Sequence, residues 1–126
     1  MRLTEITDAR GRKRYLAFQR NLYAGDPCYV CTSSFVLREL LEQTTPFARA
    51  CQVVPVMVEE DGQVLAQAML IFHPSLPVLQ ISFFEALEGQ QRAVDLLLEE
   101  TKRRAKSLGV SQIVIGLNAH ISYGMG

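Results

Sequence analysis

Glu85 is the side chain of this sequence best placed for acid–base chemistry, because it directly follows an apolar segment that ends in Phe83 and Phe84. A carboxyl group held among phenylalanine rings loses hydration, which favours its protonated form and raises its pKa toward neutral pH. Such a group can accept and return a proton, so we predict Glu85 as a general base. The alternative interpretation is an ordinary strand-end carboxylate that is exposed to water.

Cys28 and Cys31 have the C-x-x-C spacing that is typical of redox dithiols and of half a zinc site. A zinc site needs about four ligands, and the remaining candidates form no second pair: Cys51, His73 and His120. An odd number of cysteines argues against a disulfide framework, so we expect reduced, structural thiols and no metal. A Cys-based metal or redox protein remains an alternative.

The charge balance of the chain excludes some partners. The 126 residues carry 13 lysines and arginines against 13 acidic residues, so no net field attracts nucleic acid or anionic lipid. No apolar run reaches the roughly 20 residues that span a bilayer, and the N-terminus lacks the apolar core of a signal peptide. We therefore expect a cytoplasmic location, with small molecules or proteins as partners.

The first half of the chain contains signals for one strand and two helices. Residues 2–7 alternate apolar and polar side chains, which predicts a short strand. Asp8 is suited to cap a helix over residues 9–23, whose apolar residues recur at helical spacing. A second helix is predicted to begin at Ser33 or Ser34 and to continue to Gln43.

The central segment predicts a β-hairpin. Residues 51–59 are rich in valine, residues 63–72 are again apolar, and Asp61 and Gly62 between them form a strong two-residue turn signal. Two antiparallel strands follow from this pattern.

The last part of the chain predicts a strand, a helix and a second strand. Residues 78–84 have few polar positions, residues 90–107 are amphipathic and end before Gly109, and residues 112–117 are apolar again. Because a helical crossover joins parallel strands, the two strands should be parallel neighbours, and ligands bind at the carboxyl ends of such strands.

These elements predict one domain, spanning residues 1–126, of the α/β (α+β) class. The order β, α, α, β, β, β, α, β predicts a mixed, mostly antiparallel sheet with helices on both faces.

This order of elements resembles the GNAT superfamily of acyl-CoA-dependent N-acyltransferases. Short motifs are similar to a bacterial GNAT-like family: residues 22–30 (Leu-Tyr-Ala-Gly-Asp-Pro-Cys-Tyr-Val), 45–47 (Thr-Pro-Phe), 60–64 (Glu-Asp-Gly-Gln-Val), 82–85 (Ser-Phe-Phe-Glu) and 116–118 (Gly-Leu-Asn). The resemblance covers the first two thirds of that fold. It implies that residues 1–126 form a single, incomplete acyl-CoA N-acyltransferase-like domain that lacks the C-terminal helix and hairpin.

The resemblance also implies acetyl-CoA or another acyl-CoA as cofactor. In GNAT enzymes the fourth strand binds pantetheine through its backbone, and the amides at the start of the following helix hold the pyrophosphate. The cofactor-binding residues implied here are Phe83, Phe84, Gly89, Gln90, Gln91, Arg92 and Asn118. The fourth and fifth strands are expected to diverge near Phe83 and Ile115 to admit the cofactor.

The implied reaction is acyl transfer to an amine, which belongs to a small molecule or a protein. It needs a base for the amine and an acid for the departing thiolate. The resemblance gives these roles to Glu85 and Tyr123, and His120 in the same tail can also titrate near neutral pH.

Two further expectations follow from the end of the sequence. An uncovered apolar last strand would pair with another chain, so we expect a homodimer or a missing C-terminal partner segment. Glu88, where the family would place an anion, favours the alternative of a non-catalytic GNAT-like interaction module.

Overall fold

The computed structural model describes residues 1–22, 38, 40–42 and 51–115. Residues 38 and 40–42 are helical, which agrees with the second predicted helix, whose other residues lie outside the described part. The remaining described elements are, in chain order, β1 (Arg2–Glu5), α1 (Ala9–Leu22), β2 (Gln52–Glu60), β3 (Gln63–Phe72), β4 (Val78–Ala86), α2 (Gln91–Leu108) and β5 (Gln112–Ile115).

The five described strands form one mixed sheet in the order β1-β2-β3-β4-β5. The first four strands are antiparallel, and β5 is parallel to β4. This confirms the predicted mixed, mostly antiparallel sheet and its helical crossover. The predicted hairpin is also confirmed, since Asp61 and Gly62 both have positive φ, as a type I′ turn requires.

The sheet is covered on both faces, as predicted. One hydrophobic core contains Tyr15 of α1 together with Met57, Met69 and Phe83 of the sheet. We call this side the α1 face. The second core, on the α2 face, contains Leu97 and other residues of α2 packed against sheet residues that include Val56, Leu70, Leu79 and Ile81.

The helix ends follow the predicted signals. Asp8 Oδ1 accepts a hydrogen bond of 2.7 Å from the Gly11 amide, which satisfies an otherwise unpaired donor at the start of α1. Gly109, at a φ of 74°, ends α2 in the left-handed conformation that glycine adopts without strain. No helix of the described segments is long and apolar enough to cross a membrane.

The predicted end of β4 at Phe84 is wrong by two residues. The strand continues to Ala86, because Glu85 and Ala86 pair with Gln67 and Ala66 of β3. Glu85 therefore lies within the sheet and not in the loop that follows it.

Candidate functional site

A β-bulge in β4 shapes the candidate site. Phe83 and Phe84 together stand opposite the single residue Ala68 of β3, while Ser82 before them and Glu85 after them are paired in register. Phe83 has a φ of 54°, an uncommon conformation for a bulky side chain that costs on the order of 1–3 kcal/mol. Strained residues and bulges concentrate at functional sites, where they redirect side chains.

The bulge reverses the faces of the side chains that follow it. In a regular strand, residues 79, 81, 83 and 85 share one face. Here Leu79 and Ile81 belong to the α2 face, whereas Phe83 is buried in the core of the α1 face. Glu85 then stands opposite Gln67, which bonds to α1. The bulge thus brings Glu85 to the α1 face.

Three polar residues from three elements meet on this face, and we call Tyr15, Gln67 and Glu85 the polar cluster. Gln67 faces Glu85 across the ladder of β3 and β4, and its Nε2 donates a hydrogen bond of 3.0 Å to the Tyr15 carbonyl oxygen. Tyr15 is 0% exposed and Gln67 is 1% exposed. Tyr15 Oη and Gln67 Oε1 are both buried and have no hydrogen-bond partner among the described residues.

The electrostatics of the polar cluster keep its phenol neutral. Burial raises the pKa of Tyr15 well above its usual range, and the negative charge of Glu85 raises it further. The Tyr15 hydroxyl therefore remains protonated at physiological pH. It can donate one hydrogen bond and accept others. Glu85 itself is partly buried.

The loop between β4 and α2 presents backbone amides at the start of a long helix. The first amides of any helix lack partners within it, and they carry the positive end of its dipole. The first turn of α2 contains no acidic residue, and no side chain caps the helix at Gln90. Gly89 has a φ of 79°, and the space where a Cβ would stand is open. Gln91 and Arg92 are exposed.

A cleft of about 330 Å³ lies between α1 and the start of β3, and its described lining includes no member of the polar cluster. Its lining includes Phe18 and Asn21 of α1, Val64 of β3 and Leu87. Val64 and Leu87 are close neighbours in the chain of Gln67 and Glu85. The cleft therefore opens at the carboxyl end of β4, where the sequence predicts a ligand.

Some of the predicted site residues lie in the described part of the chain and others lie outside it. Phe83 is 4% exposed and belongs to the core of the α1 face, whereas Phe84 is 36% exposed. Asn118, His120 and Tyr123 lie outside the described residues. Their predicted roles stay predictions.

The expected divergence of β4 and β5 does not begin at Ile115. This residue still pairs with Ile81, two residues before Phe83, and it is the last described residue of β5. The two strands are therefore paired over the whole of the described β5.

The described residues give no support to a Cys-based site. Cys51 is a free, partly buried thiol, and burial raises its pKa, which disfavours the reactive thiolate. No group of three His, Cys, Asp or Glu side chains that would hold a metal occurs in the segments described here. Cys28 and Cys31 lie outside those segments.

Sequence reasoning missed Tyr15 and Gln67 as site residues. In the sequence, Tyr15 is one of several apolar residues that recur on one face of the predicted first helix, so nothing distinguishes it from a core residue. Gln67 is a lone amide within the apolar residues 64–72, and this isolation is the one signal that marks it as unusual. A buried amide within an apolar strand requires hydrogen-bond partners, and only the structure identifies them.

Comparison with solved structures identifies the fold. The chain is similar to a tandem GNAT protein from the clavulanic acid biosynthesis pathway, with a TM-score of 0.70, 12% identity and coverage of 90% of this chain and 35% of that chain. It is similar to a ribosomal-protein-alanine N-acetyltransferase from Brucella melitensis biovar Abortus 2308, with a TM-score of 0.62, 13% identity and coverage of 91% and 79%. It is also similar to AAC(6')-Iy in complex with the bisubstrate analogue CoA-S-monomethyl-acetylneamine, with a TM-score of 0.64 and 13% identity. That match covers 90% of this chain and 77% of AAC(6')-Iy.

The chain therefore has a GNAT-like fold. It spans about a third of the tandem protein and about three quarters or more of the other two. No protein-family model and no curated protein matches the sequence.

Proposed function

We propose that this chain is an acyl-CoA-dependent N-acyltransferase, or the cofactor-binding part of one. The observation that carries the proposal is the bulge of β4. It sets Glu85 on the α1 face at the carboxyl end of the strand, a few residues before the start of α2. A proton acceptor and an anion-binding helix start then flank one end of the sheet.

The residues at the start of α2 fit the phosphates of an acyl-CoA. Gly89 leaves open space above the loop backbone, and the adjacent helix start lacks an acidic first turn. The Gln91 backbone would offer an amide, and the exposed Arg92 would offer a positive charge, whereas the Gln90 amide would first have to leave the Leu87 carbonyl oxygen, to which it donates at 3.3 Å. The backbone of β4 beside Phe84 would accompany the pantetheine arm, and we assign Asn118 to the same ligand. When bound, an acyl-CoA supplies a thioester carbonyl as the electrophile.

Glu85 is the proposed base of the reaction. Its carboxylate takes a proton from the acceptor ammonium and so frees the nitrogen lone pair for attack. The new C–N bond would form as the C–S bond breaks, and we propose the Tyr123 hydroxyl as the acid that would give its proton to the departing sulfur. The second proton that the nitrogen loses would return to the Tyr123 oxygen, so that the protons and charges balance.

The acceptor of the proposed reaction is an amine of a small molecule or of a protein. Two structurally similar proteins support this class. One is a ribosomal-protein-alanine N-acetyltransferase, and the other is bound to an analogue that joins CoA to an acetylneamine. We expect acetyl-CoA or another acyl-CoA as the donor.

Ligand-induced stabilisation tests the proposal. Millimolar CoA or acetyl-CoA should raise the melting temperature, because a ligand at 100 times its dissociation constant adds about 2.7 kcal/mol of stability. Replacing Glu85 by Gln should retain this shift and lower turnover on an amine panel by about 100-fold or more. Glu99→Gln, an exposed carboxylate of α2, is the matched control and should leave both unchanged. No shift with either ligand would rule out the proposed function.

One observation favours a second candidate function, a non-catalytic interaction module that assembles through β5. Ile115 on this strand is 58% exposed, and β5 forms an edge of the described sheet. An apolar edge strand is a template for pairing with another chain. Under this alternative, Glu85→Gln would leave every function intact, whereas substitutions in β5 would disturb assembly.

A further inference from the structure

A cavity on the α2 face lies at the opposite end of the sheet from the proposed phosphate site. It has a volume of about 240 Å³, and its lining combines the start of β2, the end of β3, the start of β4 and the last turns of α2. Arg104 in this lining is twelve residues from Arg92, which corresponds to about 18 Å along the helix. We call this cavity the distal pocket. The proposed acyl transfer uses none of its lining residues.

The floor of the distal pocket is apolar because of the register of the strands. Phe72 of β3 pairs with Leu79 of β4, and Leu70 of β3 pairs with Val54 of β2. These four side chains line the cavity, and all of them belong to the core of the α2 face or pack against it. A ligand of the distal pocket therefore gains from an apolar body, and Phe72 offers it an aromatic contact.

The charged side chains that line the distal pocket are all positive. The described lining contains Arg103 and Arg104 and no acidic residue. Arg103 donates to the Glu100 carboxylate through Nε and Nη2, and Arg104 donates to Glu5 of β1 through Nη2 at 3.2 Å. Arg104 Nε is buried and makes no hydrogen bond within the described chain, although it lies 3.4 Å from Glu100 Oε2.

Both guanidinium groups retain donors for a further acceptor. Each arginine has five N–H donors, and the hydrogen bonds of the described residues leave Nη1 of both Arg103 and Arg104 without a partner. A carboxylate fits such donors, because its two oxygens match the planar fork of a guanidinium group. A cation would instead meet two positive charges and no acidic side chain in this lining.

The volume of the distal pocket limits the size of the ligand. A cavity of about 150 Å³ holds a benzene molecule. The distal pocket, at about 240 Å³, therefore has room for one ring and a carboxylate.

We propose that the distal pocket binds a small organic carboxylate whose apolar body is about the size of a benzene ring. The ring would lie against Phe72 and Leu79, and the carboxylate would accept hydrogen bonds from Arg103 and Arg104. This inference goes beyond the proposed function, because it assigns a second ligand site that does not depend on acyl transfer.

Three small probes separate the contribution of the charge from that of the ring. The full chain is titrated at constant ionic strength with sodium benzoate, benzyl alcohol and sodium acetate, and binding is followed by backbone amide chemical shifts. We expect benzoate to bind at least about tenfold more tightly than the other two, because it alone offers both groups. The largest shifts should fall in residues 52–54, 70–72 and 103–108. Equal affinity for the three probes, no binding of benzoate, or largest shifts at the start of α2 would overturn the inference.

Arg103→Gln is the decisive variant, because it removes a lining guanidinium group from a side chain that is 68% exposed. Benzoate should bind about tenfold more weakly, which corresponds to the loss of hydrogen bonds to a charged group, and benzyl alcohol should bind as before. Lys102→Gln is the matched control, since it removes the same charge from the neighbouring exposed residue, which is outside the described lining. Its affinity for benzoate should equal that of the original chain.

Unchanged benzoate affinity in Arg103→Gln would refute the distal pocket, and an equal loss in Lys102→Gln would show a general attraction of charge instead. Should Arg103→Gln lose its fold, Arg104→Gln takes its place with the same expectation. Titration of CoA into the benzoate-bound protein keeps the two proposed sites apart. Benzoate should stay bound, whereas its displacement by CoA would place it in the proposed phosphate site and refute a separate pocket.

Discussion

Individual polar side chains carry most of the specific chemistry of this molecule. Tyr15 and Gln67 lie at the centre of an apolar core, each with a buried atom that has no partner among the described residues. Desolvating a polar group without a partner costs about 1–3 kcal/mol.

Replacing Tyr15 by Phe should therefore leave the free energy of unfolding unchanged or raise it by up to about 1 kcal/mol at neutral pH. Urea denaturation measures this change. Tyr15→Ala is the contrast, because loss of the ring opens a cavity and should cost about 3–5 kcal/mol. A large loss of stability in Tyr15→Phe would show that the hydroxyl is bonded within the protein.

The same residue predicts a pH dependence of stability. The pKa of Tyr15 is raised in the folded protein, whereas a tyrosine in the unfolded chain ionises near pH 10. Stability is thus fully present below pH 10 and falls as the pH rises above it, since only the unfolded state releases this proton. Tyr15→Phe should lack this part of the alkaline loss, measured as the difference between urea midpoints of the two proteins from pH 9 to 11.

Glu59 is the residue that joins three elements by charge. It is 9% exposed and forms ion pairs with Arg2 of β1, at 2.8 Å, and Arg14 of α1, at 2.7 Å. The hydrogen bond from Arg2 holds the pKa of Glu59 below its usual range, and the bond from Arg14 lowers it further. The carboxylate is therefore ionised at neutral pH, and the two arginines anchor β1 and α1 to β2.

Glu59→Gln should lower the free energy of unfolding by about 1–3 kcal/mol at pH 7, because it removes a buried charge from two arginines. Glu60→Gln, its exposed neighbour in β2, is the control and should change stability little. Because the pKa of Glu59 is lower in the folded protein than in the unfolded chain, its ionised carboxylate stabilises the fold above about pH 4. This stabilisation disappears as the pH falls further. The difference between the two variants should thus shrink in acid, and an equal difference at pH 3 and pH 7 would contradict the ion-pair account.

At the scale of elements, both ends of α2 are flanked by a glycine with positive φ, and the proposed phosphate site lies at only one of these ends. Gly89 precedes the helix and Gly109 follows it, both with positive φ and both with open space where a Cβ would stand. An added methyl group therefore meets no neighbour and strains only the backbone. The two positions form a natural pair for separating stability from binding.

Alanine at either glycine should lower stability by about 1–2 kcal/mol, the cost of a left-handed conformation for an L-residue. Only Gly89→Ala should also weaken CoA binding, because the proposed phosphate site lies at this end of α2. Chemical denaturation and CoA titration of both variants measure the two effects. Equal CoA affinity in the two variants would place the phosphate site elsewhere.

At the scale of the whole molecule, one sheet separates two cores, and β5 forms one edge of that sheet among the residues described. The described part of β5 is short, and Ile115 projects from it into solvent. We expect the chain to self-associate through this strand, since unpaired backbone groups beside an apolar side chain favour strand pairing.

Sedimentation velocity over a range of concentrations tests this expectation. The sedimentation coefficient should rise with concentration, and Ile115→Lys should abolish the rise, because a charge on an edge strand opposes pairing. Leu76→Lys replaces another exposed apolar residue, in the connection between β3 and β4, and should behave like the original chain. A concentration-independent monomer would count against assembly through β5.

The sequence by itself determined the elements and their arrangement in the described chain. The helical spacing in residues 9–23, the Asp61-Gly62 turn and the strand-helix-strand pattern after Val78 are local signals that each act within a few residues. Hairpin connection and helical crossover then leave few topologies for a sheet. The element order was sufficient to predict the GNAT-like fold, which comparison with solved structures supports at 12–13% identity.

Only the tertiary structure decided which side chains share a site. Strand alternation, applied to residues 78–84, assigns Glu85 to the same face as Leu79 and Ile81, but the bulge at Phe83 and Phe84 moves it to the opposite face. The bulge arises in the pairing of β4 with β3, and the apolar pattern of residues 78–84 does not specify where the register of that pairing shifts. The meeting of Glu85 with Tyr15 and Gln67 depends on that one additional residue in the ladder, because strand side chains alternate with a period of two.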